Sequence, residues 1–449
     1  MLQDLIQIKT DELSANEKLV LLVFSTHFGA SLSGPMSLPR LAEKLGLREG
    51  LVAAAMPALL GKGVMTARVC YGATGRPVRE FALDEAKLRT FPAVRKLREA
   101  SVLSAGSFLR VPTIKTSMLN WSGQPGLADA EGGSSEGGDS AALDYPKVRR
   151  MVECRKGFLD ASDVLLLTVL LAVSDSVGVV EGWSSRQLAI LIGVTPLALK
   201  GRLKKLVRHG VIRQVIPGVA APIFQKKMKT IILLNTNHPL FESVGRKVAV
   251  CIDRGAPDNG EVRLFQSLLL ESKGVGSTNF PAKEVALLNS LPVQAFKQLE
   301  YVLHDLASNG LMSILGEQKI ERNSFMEAAK TALQGVIRVP KAGDSVVSQL
   351  RSYAAQGLIE SLAFQVYLLA VELNDRIGKE LAKAGTPGRL LVLPGNMFKG
   401  YEYVAVLAYP CVGGGDPVGE LDGPWRGVFA KETDISQSTR ERVGLASSV

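Results

Sequence analysis

Between Ser184 and Ile212 the chain reads SSRQLAILIGVTPLALKGRLKKLVRHGVI, and this segment can be laid without a gap on Ser37–Met65, SLPRLAEKLGLREGLVAAAMPALLGKGVM. Leu41-Ala42 falls on Leu188-Ala189, and Leu45-Gly46-Leu47 on Ile192-Gly193-Val194. Leu59-Leu60 falls on Leu206-Val207, and Gly63-Val64-Met65 on Gly210-Val211-Ile212. Coincidence of apolar and glycine positions in one register marks a repeated supersecondary unit. In the second copy Leu188, Ala189 and Ile192 share a helical face, and Gly193 supplies the backbone freedom of a short turn. Leu199, Leu203, Leu206 and Val207 then restore a stripe of 3.6-residue period, and Gly210 stops the helix before a strand.

Working outward, each copy is preceded by a further apolar helix. Ser14-Ala15-Asn16-Glu17 opens the first with the spacing of a capping box, and Asp160-Ala161-Ser162-Asp163 precedes the run Val164–Val173. Each copy is followed by a predicted hairpin. The first runs Val64–Tyr71, turns at Gly72–Gly75 and returns along Pro77–Leu83; the second runs Ile212–Ile216, turns at Pro217-Gly218 and returns along Ile223–Leu234. On these residues Leu13–Leu83 and Asp160–Asn235 each resemble the winged helix-turn-helix superfamily of bacterial regulators. Their tandem order is similar to that of the iteron-plasmid replication initiators. The resemblance rests on apolar and glycine positions, and it implies binding to double-stranded DNA. A looser third echo occurs at Phe280–Met312, where Val285-Ala286, Leu299, Leu303, Leu306 and Asn309-Gly310-Leu311 recur with extra residues between the helices.

The expected fold class is mainly α with short β-hairpins (α+β): tandem winged units followed by a helical C-terminal region with a small β element. A stretch from Ser122 to Ala142, rich in Gly, Ser and Ala with four acids, has almost nothing to bury and reads as a linker. The expected divisions are a first unit at 1–105, a linker at 106–158, a basic second unit at 159–245, a third winged-like unit at 246–344 and a C-terminal region at 345–449. In that last region Val346–Ala384 reads as one or two long helices, and Arg389–Leu393 with Glu402–Tyr409 as a strand pair.

Charge singles out the second unit. Between Glu181 and Glu242 the sequence has no Asp or Glu, while it carries Arg186, Lys200, Arg202, Lys204, Lys205, Arg208, Arg213, Lys226, Lys227 and Lys229. Those ten cations equal the formal net charge of the whole chain, +10, so the basic field is local. Neutralising several phosphates needs such concentration. Opposite the apolar stripe of the second helix a wheel places Gly201, Lys204, Lys205 and Arg208, the face that would enter a major groove. Arg202 and Arg208 suit bidentate contact with guanine, and Lys200, Lys204 and Lys205 suit phosphates. Arg213 follows on the first strand, and Lys226, Lys227 and Lys229 fall on the expected return strand, where they would hold flanking backbone. Gly201 costs its helix about 1 kcal/mol against alanine, which close approach of DNA would offset. The equivalent helix of the first copy, Glu49–Ala58, is nearly devoid of hydrogen-bonding side chains, and Pro57 is expected to bend it. Only Arg68, Arg76 and Arg79 on the first hairpin offer that copy a grip on phosphate.

Other chemistry finds little footing. There is no Gly-x-x-x-x-Gly-Lys loop, and His27, His209, His238 and His304 form no metal-ligand spacing. His304-Asp305 reads as an exposed helix turn, and Gly413–Asp416 as a loop. The four cysteines, Cys70, Cys154, Cys251 and Cys411, are scattered and expected to be free thiols. No basic-then-apolar leader opens the chain, and the run Val164–Val173 cannot span about 30 Å of hydrocarbon. The expectation is a cytoplasmic, non-enzymatic protein with double-stranded DNA as partner, first a transcriptional regulator, with a replication initiator or a winged-helix protein-interaction module without DNA binding as alternatives, able to form a homo-oligomer, without cofactor, metal or membrane.

Overall fold

The computed structural model describes residues 2–8, 13–29, 31–71, 77–91, 104–105, 107–109, 159–244, 248–254, 282–316, 321–340, 346–379, 387–393, 403–409 and 427–429, with 381, 440 and 445. The expected linker, Arg76, the turn Gly72–Gly75, Cys154, Cys411 and the loop Gly413–Asp416 lie outside these residues. The architecture is mainly helical with small antiparallel sheets. The chain divides into two units: Met1–Ser174 with Ser185–Val211 and His238–Gly245, and Asp175–Ser184 with Ile212–Asn237 and Arg246–Val449. The boundary therefore passes through the segment 159–245 rather than around it.

The first unit begins with α1 (Leu2–Gln7), followed by α2 (Ala15–Phe28), α3 (Leu38–Leu45), α4 (Glu49–Gly61), strands β1 (Met65–Tyr71) and β2 (Pro77–Leu83), and the short α5 (Glu85–Leu88). It continues with α6 (Ala161–Val173), α7 (Ser185–Ile192) and α8 (Pro196–Arg208). The repeat holds residue for residue: in the register of the sequence α3 lies on α7 and α4 on α8, ends included. Gly46 and Gly193 both take positive φ, 63° and 69°, as do the helix-ending Gly63 and Gly210, at 67° and 68°. These backbone positions strain any residue with a Cβ, which is why glycines, and not only apolar residues, carry the register. The same i+5 hydrogen bonds close both turns, Leu47 N to Ala42 O at 2.9 Å and Val194 N to Ala189 O at 3.1 Å.

The first helices α2 and α6 also correspond. Ser14 and Asp160 each complete a capping box, with Glu17 and Asp163 as the returning acids. The two helices pack on one another, and each is buried nearly all round, so neither shows a single apolar stripe. Lys18 of α2 is fully buried and donates to Ile6 O at 2.9 Å, Ile8 O at 2.6 Å and Leu191 O at 2.7 Å, the last at the C-terminal end of α7. One side chain of the first copy thus fastens a helix of the second. The first hairpin forms as expected, with Met65 opposite Leu83 and Tyr71 opposite Pro77. Pro57 lies inside α4 without ending it; the proline is exposed, and the helix continues to Gly61.

In the second unit β3 (Val179–Val180), β4 (Ile212–Ile216) and β5 (Ile231–Leu234) form an antiparallel sheet in the order β3-β5-β4. The expected return strand Ile223–Leu234 is shortened to its last four residues, and Pro217-Gly218 is not a tight hairpin turn. Instead residues 217–230 make an excursion whose Ile223 and Phe224 are buried in a helical core with Leu299, Leu303, Leu333 and Leu362. Phe224 bridges to Ile337, and Gln225 N bonds Val336 O at 2.9 Å. The apolar pair that reads as the start of a strand is therefore an anchor. Gln298, fully buried, ties the base of the excursion by donating to Pro217 O at 2.8 Å and Lys229 O at 3.0 Å.

The helices of that core are α9 (Ala282–Asn289), α10 (Val293–Leu315), α11 (Arg322–Gln334) and α12 (Val346–Leu373). Here the third echo fails: α10 runs through Gly310 for another turn and is followed by α11, not by a hairpin. Gly310 serves packing, since a Cβ there would lie 2.3 Å from the Phe325 ring. A second sheet, β7-β8-β6-β9, joins β6 (Ala249–Arg254), β7 (Arg389–Val392), β8 (Tyr403–Tyr409) and β9 (Gly427–Phe429). The pair β7–β8 matches the expectation; the pairing of β6 and β9 with it is new. One helix among the described residues, Ser352–Gly378, is long and apolar enough to cross a bilayer. Its Leu358, Leu362 and Val366 belong to the buried core of this unit.

Candidate nucleic-acid interface

Helix α8 is positioned by Thr195, whose hydroxyl accepts from Ala198 N at 3.2 Å, and by Pro196 in the first turn, where no N–H bond is lost. Leu199, Leu203 and Leu206 are buried, so the helix has one fixed inner face. The outer face carries Leu197, Lys200, Gly201, Lys204 and Arg208, all exposed. These positions recur every three or four residues and form one stripe along about three turns.

Arg202 and Lys205 do not belong to that free stripe. Arg202 Nη1 lies 2.6 Å from carboxylate oxygens of both Asp160 and Asp163, and Lys205 Nζ 2.6 Å from Asp163. The acid-free window misled here because a count along the chain cannot see that α6 begins beside α8. The carboxylates responsible are the two capping acids of α6, which the sequence shows only in their capping role. Burial pushes the Asp160 carboxyl up, but the Arg202 guanidinium, the Asp163 N–H and Lys205 outweigh it and hold the group below the usual carboxylate range. Burial likewise opposes the charge on Arg202, yet the same two carboxylates hold its pKa above the ordinary value. Both residues fix the seat of α8 rather than face solvent freely.

The remaining candidates separate. Arg213, expected among the DNA-binding cations, is 1% exposed, and its guanidinium donates to Leu445 O at 3.4 Å within the second unit. Lys226 and Lys227 are exposed, but on the excursion rather than on a strand. Lys229 Nζ donates to Gly182 O at 2.6 Å. On the first hairpin Arg68 stands opposite Glu80 and Arg79 opposite Val69, so the two arginines are on opposite faces of the ribbon and cannot grip one surface together. Arg76 lies outside the described residues.

The first copy offers an internal comparison. In the repeat register the stripe Leu197, Lys200, Gly201, Lys204 and Arg208 of α8 corresponds to Gly50, Ala53, Ala54, Pro57 and Gly61 of α4. Those five are small or cyclic and uncharged, and all five are exposed. Neither Gly50 nor Gly201 has any atom within 4 Å of where a Cβ would stand. The two copies are thus alike where they fold and unlike where they face water.

Elsewhere, the second unit holds a polar cluster in which Arg389 reaches Asp305 at 2.6 Å, Asn309 at 2.8 Å and Asp175 at 3.5 Å, while Tyr301 donates to Glu181. Asp175 also accepts from Val177 N and Val179 N, so this cluster pins the loop before β3 to α10 and β7. His304 is buried, not on an exposed turn, and its ring meets Glu300 O at 2.8 Å. Among the described residues no group of three or more His, Cys, Asp or Glu could hold a metal ion, and neither Cys70 nor Cys251 is in a disulfide. In comparisons with known proteins, no family model, no curated protein and no solved structure matches the chain.

Proposed function

We propose that the protein is a non-enzymatic, sequence-specific double-stranded DNA-binding protein whose reading element is α8. The order helix, strand, helix, helix, strand, strand from α6 to β5, with sheet order β3-β5-β4, supports a winged helix-turn-helix for the second copy. The first copy supports the same reading through α2, α3, α4 and the β1–β2 ribbon. The single observation that carries the proposal is the stripe of Lys200, Lys204 and Arg208 on the outer face of a helix whose inner face is locked. A rigid cationic rod of that width fits the major groove, and helix-turn-helix proteins dock their second helix there. The first copy, with its uncharged α4 face, then serves as support for the second.

The role served by binding is regulation of transcription at a promoter. The tandem copies in one chain also favour a replication initiator, for which recovered sites would be direct repeats instead of promoter palindromes. The test is selection of bound fragments from random duplex DNA by the full chain, followed by titration of the recovered site with wild type and the double variant Lys204→Glu, Arg208→Glu. Both residues are exposed, so the variant should keep its melting temperature and lose binding by more than a hundredfold. Wild-type affinity in the folded variant would sink the assignment. Affinity should also fall steeply between about 50 and 200 mM salt.

A further inference from the structure

The repeat supplies a control that few single domains have: it shows what the fold needs at each position of the outer stripe, and what it does not. At the first of these positions the first copy has Gly50, yet α4 starts at the same place in the register as α8. The second copy has Leu197, which is 80% exposed. A leucine left in water on the first turn of a helix contributes nothing to the fold, as its counterpart demonstrates. At the third position the order reverses. The first copy has Ala54, so a methyl group is acceptable there, whereas the second copy has Gly201, with open space around the missing Cβ. In one and the same helix a side chain has been added at the tip and one removed a turn later, both on the outer stripe and neither for internal packing.

Resting on the DNA-binding reading above, we infer that Leu197 is a specificity-determining residue that recognises the 5-methyl group of thymine in the major groove. The N-terminal residues of a reading helix are the ones that reach base edges. Thymine is the base that offers an apolar group there, and apolar side chains are its complement. Gly201 lowers the helix surface behind Leu197, which lets the tip go deeper before the backbone meets the groove wall. Lys204 and Arg208 lie further along the stripe, where phosphates and guanine edges complete the contact. The ligand class is therefore duplex DNA with thymine at defined positions, and not RNA, which lacks that methyl group.

The experiment measures binding of the full chain, by fluorescence anisotropy, to a site recovered by selection and to versions with single thymines replaced by deoxyuridine. Loss of one buried methyl corresponds to about fourfold in affinity, taking about 0.8 kcal/mol per apolar carbon and 1.4 kcal/mol per factor of ten. Wild type is expected to lose about fourfold at one or two positions of the site. Leu197→Ala, with an unchanged melting temperature, is expected to bind thymine and uracil versions of those positions equally. Equal affinity of wild type for both versions at every position overturns the inference and leaves the DNA reading standing. A Leu197→Ala variant that still discriminates does the same. If wild type recovers no duplex at all from the selection, the DNA-binding reading itself falls.

Discussion

On the proposed DNA-binding reading, Gly201 is the residue at which stability and binding are set against each other. Glycine inside a helix costs about 1 kcal/mol relative to alanine, and here no atom of the described residues lies within 4 Å of where a Cβ would stand. Gly201→Ala should therefore raise stability by up to about 1 kcal/mol in urea unfolding while weakening binding to the selected site. An alanine variant that gains stability and keeps full affinity would show a surface glycine of no consequence to DNA. Arg202 and Lys205 teach the opposite lesson. Their charges were legible in the sequence, but their pairing with Asp160 and Asp163 was not, because the partners precede them by some forty positions and were spoken for as caps. Arg213 was likewise legible as a cation and illegible as a buried one, since its environment is built from the far end of the chain at Leu445.

At the scale of elements the two caps provide a paired test. Ser14→Ala should cost about 1 kcal/mol, the ordinary value of an N-cap. Asp160→Ala should cost more, because the same carboxylate also holds Arg202 at 2.6 Å; equal costs in denaturant melts would mean that the ion pair adds nothing. Gly46→Ala and Gly193→Ala should each cost about 1–2 kcal/mol, the penalty of a left-handed backbone for a residue with a Cβ. Helices, turns and caps of both copies were readable from periodicity and glycine placement because those signals are local. The excursion at residues 217–230 was not readable. Its Ile223 and Phe224 read as the start of a return strand ending at Leu234, and only the distant partner Ile337 decides that they are an anchor. Strands β6 and β9 were missed for the same reason: β6 pairs with β8 and β9 with β6 across long separations in the chain.

Across the whole molecule two buried ionisable groups give the units opposite responses to pH. Burial lowers the Lys18 amine to about 7, while an unfolded lysine keeps its proton to about 10.5. Between those values the unfolded state binds more protons, so the first unit gains stability as pH rises above about 7. Burial raises the Glu300 carboxyl to about 8 against the ordinary 4.5, with Lys297 opposing it. There the folded state holds the extra proton, so the second unit loses stability as pH climbs from about 4.5 to 8. Each slope is at most about 1.4 kcal/mol per pH unit. Glu300→Gln should leave melts at pH 5 nearly unchanged and stabilise the protein at pH 8. Lys18→Met should fall further behind wild type at pH 9 than at pH 6. Equal effects at both pH values would mean that these side chains titrate normally in the folded chain.

The doubled helix pair has a consequence for how the molecule can be altered. Because α4 and α8 begin and end at matching residues, the older design problem of building a scaffold is already solved twice in one polypeptide. Transplanting the five outward side chains of α8 onto Gly50, Ala53, Ala54, Pro57 and Gly61 leaves every inward-facing neighbour of α4 in place. The result would be a chain with two cationic stripes in place of one, made without touching the interior.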